Sequence, residues 1–338
     1  MNTWYRVVAT LLILLLMAPA AGCTQRPAGF EQSGANPAVR GNALPGRLLF
    51  VRQGVIWQWR GREAAPLLGT GAAFQPAWDP EGKRIAYIAR DNSFSDVWLA
   101  DETGQALTRL TNNGSQAPPN SLARAAESRW AFYPAWSPDG RRVAVAMQTR
   151  PPAGEPLADA MLELMLLPVG PGAPLLAYSD GEASVGRSVF IAEGTALIFT
   201  RAGAGPTGHQ ELYRVELVSG RAEALAGAPR GSYDPACTPD GRWLVFAAQQ
   251  NERTDIFALP LAGGVPVKLT DQGAARAPAV SPDGRLLAFL ALAPGEPGFD
   301  LWVAELSAAP DGALMAGRSR RLTTGLGIDA DSGLTWAP

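Results

Sequence analysis

The chain has 338 residues, of which 47% are hydrophobic and 18% charged, and its formal net charge at pH 7 is −2. With 37 glycines and 29 prolines, this composition is typical of a globular protein rich in turns. The near-neutral charge and the lack of a Lys/Arg run argue against a nucleic-acid partner, because such binding needs a clustered basic surface.

The first 22 residues have the pattern of an export signal. Arg6 precedes an apolar run from Val7 to Met17, which is short for a membrane span of about 20 apolar residues. The small residues Ala20-Ala21-Gly22 directly before Cys23 resemble the lipobox of bacterial lipoproteins. The resemblance implies cleavage before Cys23, diacylglycerol on its sulfur, and acylation of the new amino terminus, for example with palmitate. The alternative is an ordinary cleaved signal followed by an incidental cysteine.

Residues 24–45 are polar and rich in Gly, Pro, Ala and Asn, without apolar periodicity. Such a segment indicates a flexible tether, which spans about 25 Å as a random coil. We therefore divide the chain into a signal peptide (1–22), a lipidated cysteine with its tether (23–46) and a folded domain (47–338). The signal and the anchor predict an exported bacterial lipoprotein, attached to a membrane and facing the periplasm or the cell exterior.

A short strand that runs into a tight turn recurs along the folded part. In Pro134-Ala135-Trp136-Ser137-Pro138-Asp139-Gly140, the residues Ser, Pro and Gly occupy the positions that a type I turn favours. Pro134 cannot donate to a ladder, so the strand is predicted to be an edge strand. Further copies stand at 76–82, 235–241 and 278–284, and a degenerate copy at 189–194. Because the copies recur roughly every 50 residues, they indicate the blades of a β-propeller.

Two further families of strand accompany the turn. The first follows it directly, as in Arg142-Val143-Ala144-Val145-Ala146, and the second begins with an acidic residue, as in Asp96-Val97-Trp98. A fourth, outer strand often ends in a basic residue and Leu-Thr, as in Arg109-Leu110-Thr111. Together these residues resemble the TolB-type, WD-like propeller repeat from Arg47 to Pro338. The resemblance implies an all-β propeller of four-stranded blades and a general role as an envelope interaction module, without specifying an activity.

The two ends of the folded part complement each other. Residues 47–70 supply only the last three strands of a blade, at 48–51, 55–59 and 66–68. Residues 334–338 align with the inner strand that this blade lacks. We therefore predict six blades, with the ring closed by the C-terminal strand against the N-terminal blade and with Trp336 buried between blades.

Few residues are candidates for chemistry. The acidic residues of the turns and of the strand starts fall in different blades, so we expect them to cap backbone groups or to lie in solvent. They are Glu81, Asp139, Glu193, Asp240 and Asp283 in the turns, and Asp96, Glu211, Asp255 and Asp300 in the strands. His209 is the only histidine, no Gly-x-Ser-x-Gly occurs, and no Cys/His spacing suggests zinc. We predict no catalytic residue, no metal and no cofactor.

The blades differ most in loop length. Long segments fall on the face that carries the connections between blades and between second and third strands, at 112–129, 148–159, 201–210 and 291–299. Loops on a rigid scaffold commonly carry binding sites. Neutral drift in length is the alternative, and a long loop at 308–318 falls on the opposite face. We predict a binding face on the first of these, with Arg124, Trp130, Arg150 and His209 as candidate contact residues.

These observations favour a lipid-anchored, non-enzymatic propeller that binds a protein, peptidoglycan or another envelope component. We expect a monomer whose contact with the membrane is the lipid on Cys23. The alternative is a glycan hydrolase or lyase with two carboxylates about 5–10 Å apart at the mouth of the propeller channel. A sensor or structural domain is a third hypothesis.

Overall fold

A computed structural model describes residues 39–151, 161–203 and 208–338 of the chain. The predicted signal peptide, Cys23 and the tether up to residue 38 lie outside these residues. In the described part, no helix is both long enough and apolar enough to cross a membrane.

The described residues form six antiparallel sheets, and the inner strands of successive sheets contact one another in chain order around a ring. The predicted six-bladed, all-β propeller is therefore confirmed. Blade one contains β1 (Val39–Arg52), β2 (Val55–Leu68) and the C-terminal β24 (Thr335–Ala337). Blade two contains β3 (Ala73–Trp78), β4 (Arg84–Arg90), β5 (Ser95–Asp101) and β6 (Ala106–Arg109). Blade three contains β7 (Ala131–Trp136), β8 (Arg142–Met147), β9 (Glu163–Pro168) and β10 (Leu175–Tyr178).

The remaining three blades follow in the same order from the axis outward. Blade four contains β11 (Ala183–Ile191), β12 (Ala196–Gly203), β13 (Gln210–Glu216) and β14 (Ala222–Ala224). Blade five contains β15 (Ser232–Cys237), β16 (Trp243–Gln250), β17 (Arg253–Pro260) and β18 (Val267–Lys268). Blade six contains β19 (Ala275–Val280), β20 (Leu286–Leu292), β21 (Phe299–Ala308), and both β22 (Leu314–Ala316) and β23 (Arg320–Arg321), which pair with β21. A helix α1 (Leu122–Glu127) lies between blades two and three, and a 3₁₀ turn (Ala192–Gly194) follows β11.

Neighbouring strands of a blade are antiparallel, so its connections alternate between two ends. The turns between first and second strands lie at one end, which we call the corner face. The connections between second and third strands, and those between blades, lie at the other end, which we call the loop face. Apolar residues of adjacent blades pack between the sheets, for example Phe50, Trp57 and Trp59 of blade one against Leu290 and Val303 of blade six.

The C-terminal strand closes the ring as predicted. β24 pairs with β1 in antiparallel register, with Leu48 opposite Trp336 and Arg47 opposite Ala337. The prediction that Trp336 is buried between blades holds in part, since the side chain packs against the cluster of blades one and six without being fully buried. Its side chain is half-buried, because the indole lines the axial cavity and its Nε1 donates to the Pro45 carbonyl oxygen at 2.7 Å, whereas Ala337 packs in the core.

The folded domain begins earlier than the sequence suggested. β1 starts at Val39 rather than near Arg47, and the buried Leu44 packs in the cluster that contains Trp59 and Ala64. Two register shifts in the β1–β2 pairing fall within this segment, on either side of Leu44, and they interrupt any apolar periodicity. Residues 66–68, predicted to be a separate outer strand, form the end of β2.

The recurrent proline lies in a β-bulge of each inner strand that carries it. Gln75, Tyr133, Asp234 and Ala277, each directly before such a proline, have φ between 52° and 55°. The pairing with the second strand shifts register at this point, as between Phe74 and Ala77. The inner strands are edge strands, as predicted. Proline has no backbone N–H, and at the bulge no ladder hydrogen bond requires one. Left-handed backbone at four non-glycine positions costs conformational energy and often marks a functional or structural constraint.

Candidate functional site

The carboxylates of the corner turns stabilise the turns themselves. Asp139 Oδ1 accepts from the Ser137 hydroxyl at 2.6 Å and from the Arg141 backbone N–H at 3.0 Å. The same pattern holds for Thr238 with Asp240 and for Ser281 with Asp283. The predicted capping role of these residues is confirmed, and the carboxylates lie in separate blades.

The acidic residues that begin the third strands of blades two, five and six are buried. Asp300 accepts from the Thr323 hydroxyl at 2.6 Å, from the Arg321 guanidinium at 2.5 Å, and from the backbone N–H of Gly325 and Leu326. Asp96 and Asp255 are bound in the same way by the basic and Thr residues of their own blades. The recurrent basic-Leu-Thr pattern therefore anchors the outer strand to a buried carboxylate.

Six polar side chains, one from each blade, meet at the propeller axis. We call them the axial ring: Gln75, Tyr133, Arg187, Asp234, Arg276 and Asp331. The Tyr133 hydroxyl donates to Asp331 Oδ1 at 3.0 Å, and the Tyr133 backbone N–H donates to Gln75 Oε1 at 2.9 Å. Arg187 Nη2 donates to the Asp331 carbonyl oxygen at 2.8 Å. Arg276 Nε donates to Asp234 Oδ2 at 3.0 Å, and Arg187 Nε reaches Asp234 Oδ1 at 3.4 Å.

Charges within the ring compensate one another. Burial would raise the pKa of Asp234, but the guanidinium groups of Arg276 and Arg187 outweigh it and hold this pKa below its ordinary value. Burial, followed by the negative charge of Asp331, raises the pKa of Tyr133, so its phenol remains a hydrogen-bond donor at neutral pH. Asp234 is thus a structural anion that holds two arginines at the axis.

Asp331 reaches the ring from the segment before β24. Its side chain is 54% exposed, and Asp329 Oδ1 accepts from its backbone N–H at 3.0 Å. Gly333, two residues on, has φ of 73°, and a Cβ there would lie 2.6 Å from Arg187 Nη2. Glycine therefore permits both the turn and the close approach to Arg187.

A cavity of about 320 Å³ lies along the axis on the corner-face side of the ring. The Pro-Ala-aromatic segments of blades two and three and the C-terminal strand line it, with Trp78, Trp136 and Trp336 among the walls. Arg187 and Ser188 also line it, whereas the carboxylates of Asp234 and Asp331 do not. The ring therefore separates an apolar cavity from the loop-face side of the axis.

The four predicted contact residues belong to connections of the loop face, but their environments differ. Arg124 is half-buried and donates to Ser93 Oγ and to the carbonyl oxygens of Ser115 and Ala117, so it holds its own loop. Trp130 is half-buried and stacks on Phe132 at 6.1 Å. Arg150 and His209 are exposed, and Arg150 forms an ion pair with Glu163 at 3.2 Å.

Comparisons with known proteins identify the fold. No family model matches the sequence. Over 190 residues, 55% of this chain, the sequence is 27% identical to the uncharacterized peptidase YuxL of Bacillus subtilis (strain 168). This chain spans only 23% of that protein.

Solved structures match a larger share of the chain than this sequence relative does. TolB from Acinetobacter baumannii superposes with a TM-score of 0.62 and 16% sequence identity, covering 87% of this chain and 67% of that one. The chain folds as a TolB-like propeller. An oligogalacturonate lyase in complex with manganese superposes with a TM-score of 0.50 and 15% identity, covering 83% of this chain and 75% of that one. Because the same architecture carries different activities, these likenesses establish the fold alone.

Sequence reasoning missed the axial ring of this TolB-like propeller. The sequence did contain a signal for three of the six ring residues. In each copy that has the strand proline, the residue before the proline lies in left-handed backbone at the bulge, and in three copies this residue, Gln75, Tyr133 or Asp234, belongs to the ring. Arg187, Arg276 and Asp331 had no such signal. Blade four carries a degenerate copy, Arg276 lies one residue before the left-handed Ala277, and Asp331 lies outside any strand. Among the described residues, no group of three His, Cys, Asp or Glu side chains could hold a metal ion.

Proposed function

We propose that the protein is a lipid-anchored, non-enzymatic module of the cell envelope that binds a protein or another envelope component through its loop face. The observation that carries the proposal is the axial ring, whose charged groups are bound to one another and to the backbone rather than left free for catalysis. The TolB-like fold supports the same role, because a rigid propeller presents its connecting loops on one face. The lipobox-like residues before Cys23 support attachment to a membrane.

The alternative, a carboxylate-dependent glycan hydrolase or lyase, would use Asp331 and Asp234 at the channel. Such enzymes need two carboxylates about 5–10 Å apart, and a hydrolase needs one of them with a raised pKa. The pKa of Asp234 is lowered, and the carboxylate is bound by two arginines. Cleavage of a polysaccharide by the purified protein, lost in Asp331→Asn, would overturn the non-enzymatic role.

The anchor is tested by Cys23→Ala. We expect the variant to move from the membrane fraction to the soluble fraction and to lose the mass of the acyl groups, because the sulfur that carries diacylglycerol is gone. Fractionation after extraction of peripheral proteins, with mass spectrometry of the purified protein, measures both effects. Retention of the variant in the membrane fraction would contradict the anchor.

The binding face is tested by the double variant Arg150→Ala/His209→Ala. Both side chains are exposed, and Glu163, the ion-pair partner of Arg150, keeps its hydrogen bonds from Thr149 and Ser179, so we expect a nearly unchanged melting temperature. Capture of the partner from solubilised envelope should weaken, by about tenfold or more if Arg150 is an interface hot spot. Arg285→Ala is the matched control, since Arg285 is exposed on the corner face. Loss of capture in the control and not in the double variant would assign binding to the opposite face.

A further inference from the structure

The axial cavity has the dimensions and lining of a small-molecule site. Its volume of about 320 Å³ lies at the lower end of the range of about 300–1,000 Å³ that is typical of ligand pockets. Seven prolines and four aromatic residues belong to the wall, the aromatic ones being Trp78, Trp136, Phe190 and Trp336. A ligand with a flat, apolar group of a few carbon atoms would fit between these aromatic side chains.

One cation of the axial ring, Arg187, also lines this cavity. The Arg187 side chain is 16% exposed and lines the cavity, while its carboxylate partner Asp234 does not. The Asp79 carboxylate, which belongs to the lining, accepts from Arg84 Nε at 2.8 Å and from the Lys83 and Arg84 backbone N–H groups. Arg84 therefore compensates the charge of Asp79. The N–H groups of Arg187 that do not donate to Asp234 or Asp331 are the charged donors left at the inner end of the cavity.

Two polar atoms in the lining residues lack a partner within the described part of the chain. Ser188 is 5% exposed and its hydroxyl makes no hydrogen bond there, and the same holds for the indole Nε1 of the buried Trp78. By contrast, Nε1 of Trp136 donates to the Ala77 carbonyl oxygen at 3.0 Å. A buried polar group without a partner costs about 1–3 kcal/mol, so such groups usually meet a ligand or water.

We propose that the axial cavity binds a small apolar carboxylate, with its carboxylate toward Arg187 and Ser188 and its apolar body between the tryptophans. A guanidinium and a hydroxyl donate to carboxylate oxygens, and charge-assisted hydrogen bonds are stronger in apolar surroundings. The site lies on the corner-face side of the ring, so it can exist with or without the proposed loop-face partner.

The test uses the full chain in detergent and titrates it with 3-phenylpropionate and its neutral analogue 3-phenylpropan-1-ol. Fluorescence of the cavity tryptophans and calorimetry report binding. We expect the acid to bind at least about tenfold more tightly than the alcohol, because only the acid forms a charge-assisted hydrogen bond. Arg187→Gln should abolish this preference. Equal affinity for acid and alcohol, or no saturable binding of the acid, would overturn the proposal.

A pair of matched variants keeps the test independent of folding defects. Ser188→Ala and Thr200→Val each remove a buried hydroxyl that has no partner in the described residues, and Thr200 does not line the cavity. Both variants should melt at or above the temperature of the parent. Ser188→Ala should weaken binding of 3-phenylpropionate severalfold, and Thr200→Val should leave it unchanged. Equal affinities in the two variants would refute the role of Ser188 and with it the proposed site.

Discussion

Asp234→Asn is expected to destabilise the whole domain by about 3–5 kcal/mol, the usual cost of removing one partner from a buried ion pair. Asp234 is 5% exposed and binds Arg187, Arg276 and the backbone N–H of Ala277, so the variant leaves Asp331 as the one carboxylate of the axial ring beside two guanidinium groups. Chemical denaturation followed by circular dichroism measures the loss. Such a loss is a large part of a typical net stability of about 5–15 kcal/mol.

Asp271→Asn is the matched control for this prediction. Asp271 also contacts two cations, Lys268 and Arg253, but its side chain is 82% exposed. Solvent screens such a pair, so the substitution should leave the stability almost unchanged. Equal effects of the two substitutions would show that the axial ring does not stabilise the propeller.

The stabilisation by Asp234 should also depend on pH. Because the folded-state pKa of Asp234 is below its unfolded value of about 3.9, its contribution is fully present above that value. The contribution is lost as the pH falls through the lower, folded pKa. The difference in stability between the parent and Asp234→Asn should therefore be constant near neutrality and shrink below about pH 4. A difference that grows on acidification would contradict the assignment.

Deletion of residues 334–338 is expected to cost an amount comparable to the entire net stability, about 5–15 kcal/mol. The deletion removes β24, leaves β1 as an unpaired edge, and exposes the cluster in which Ala337 packs with Val51 and Trp78. We expect the truncated chain to lose its cooperative thermal transition. Melting within about two degrees of the parent would show that ring closure contributes little.

Two further variants distinguish the stability contributed by the closing strand from that contributed by Trp336 alone and from the effect of a shorter chain. Trp336→Ala should cost less than the about 3–5 kcal/mol of a fully buried tryptophan, because the side chain is only partly buried. Shortening the exposed turn at 309–313 should have little effect, since loop length changes the entropy of closure only slightly. A loss from Trp336→Ala as large as that from the deletion would assign the effect to one side chain rather than to the strand.

The sequence by itself determined the architecture. The turn that follows Trp136 and its copies, the acidic starts at Asp96 and Asp300, and the segment that ends at Pro338 predicted four-stranded blades, capped corners and a closed ring. These features depend on contacts within a blade or on a pattern that is repeated several times. Local propensity and the spacing of the repeats are therefore enough to predict them.

Only the tertiary structure decided what lies at the axis. The side chains of Gln75 and Asp331 form a hydrogen bond although they are 256 residues apart in sequence, and Arg187 pairs with Asp234 of the next blade. The six ring positions hold four residue types, so the repeat does not reveal which side chains pair with one another. The partial burial of Trp336 and the early start of β1 likewise depend on the cavity and on blade six. Such contacts arise because a closed ring brings inner strands together on one axis, and a linear pattern does not encode which side chains converge there.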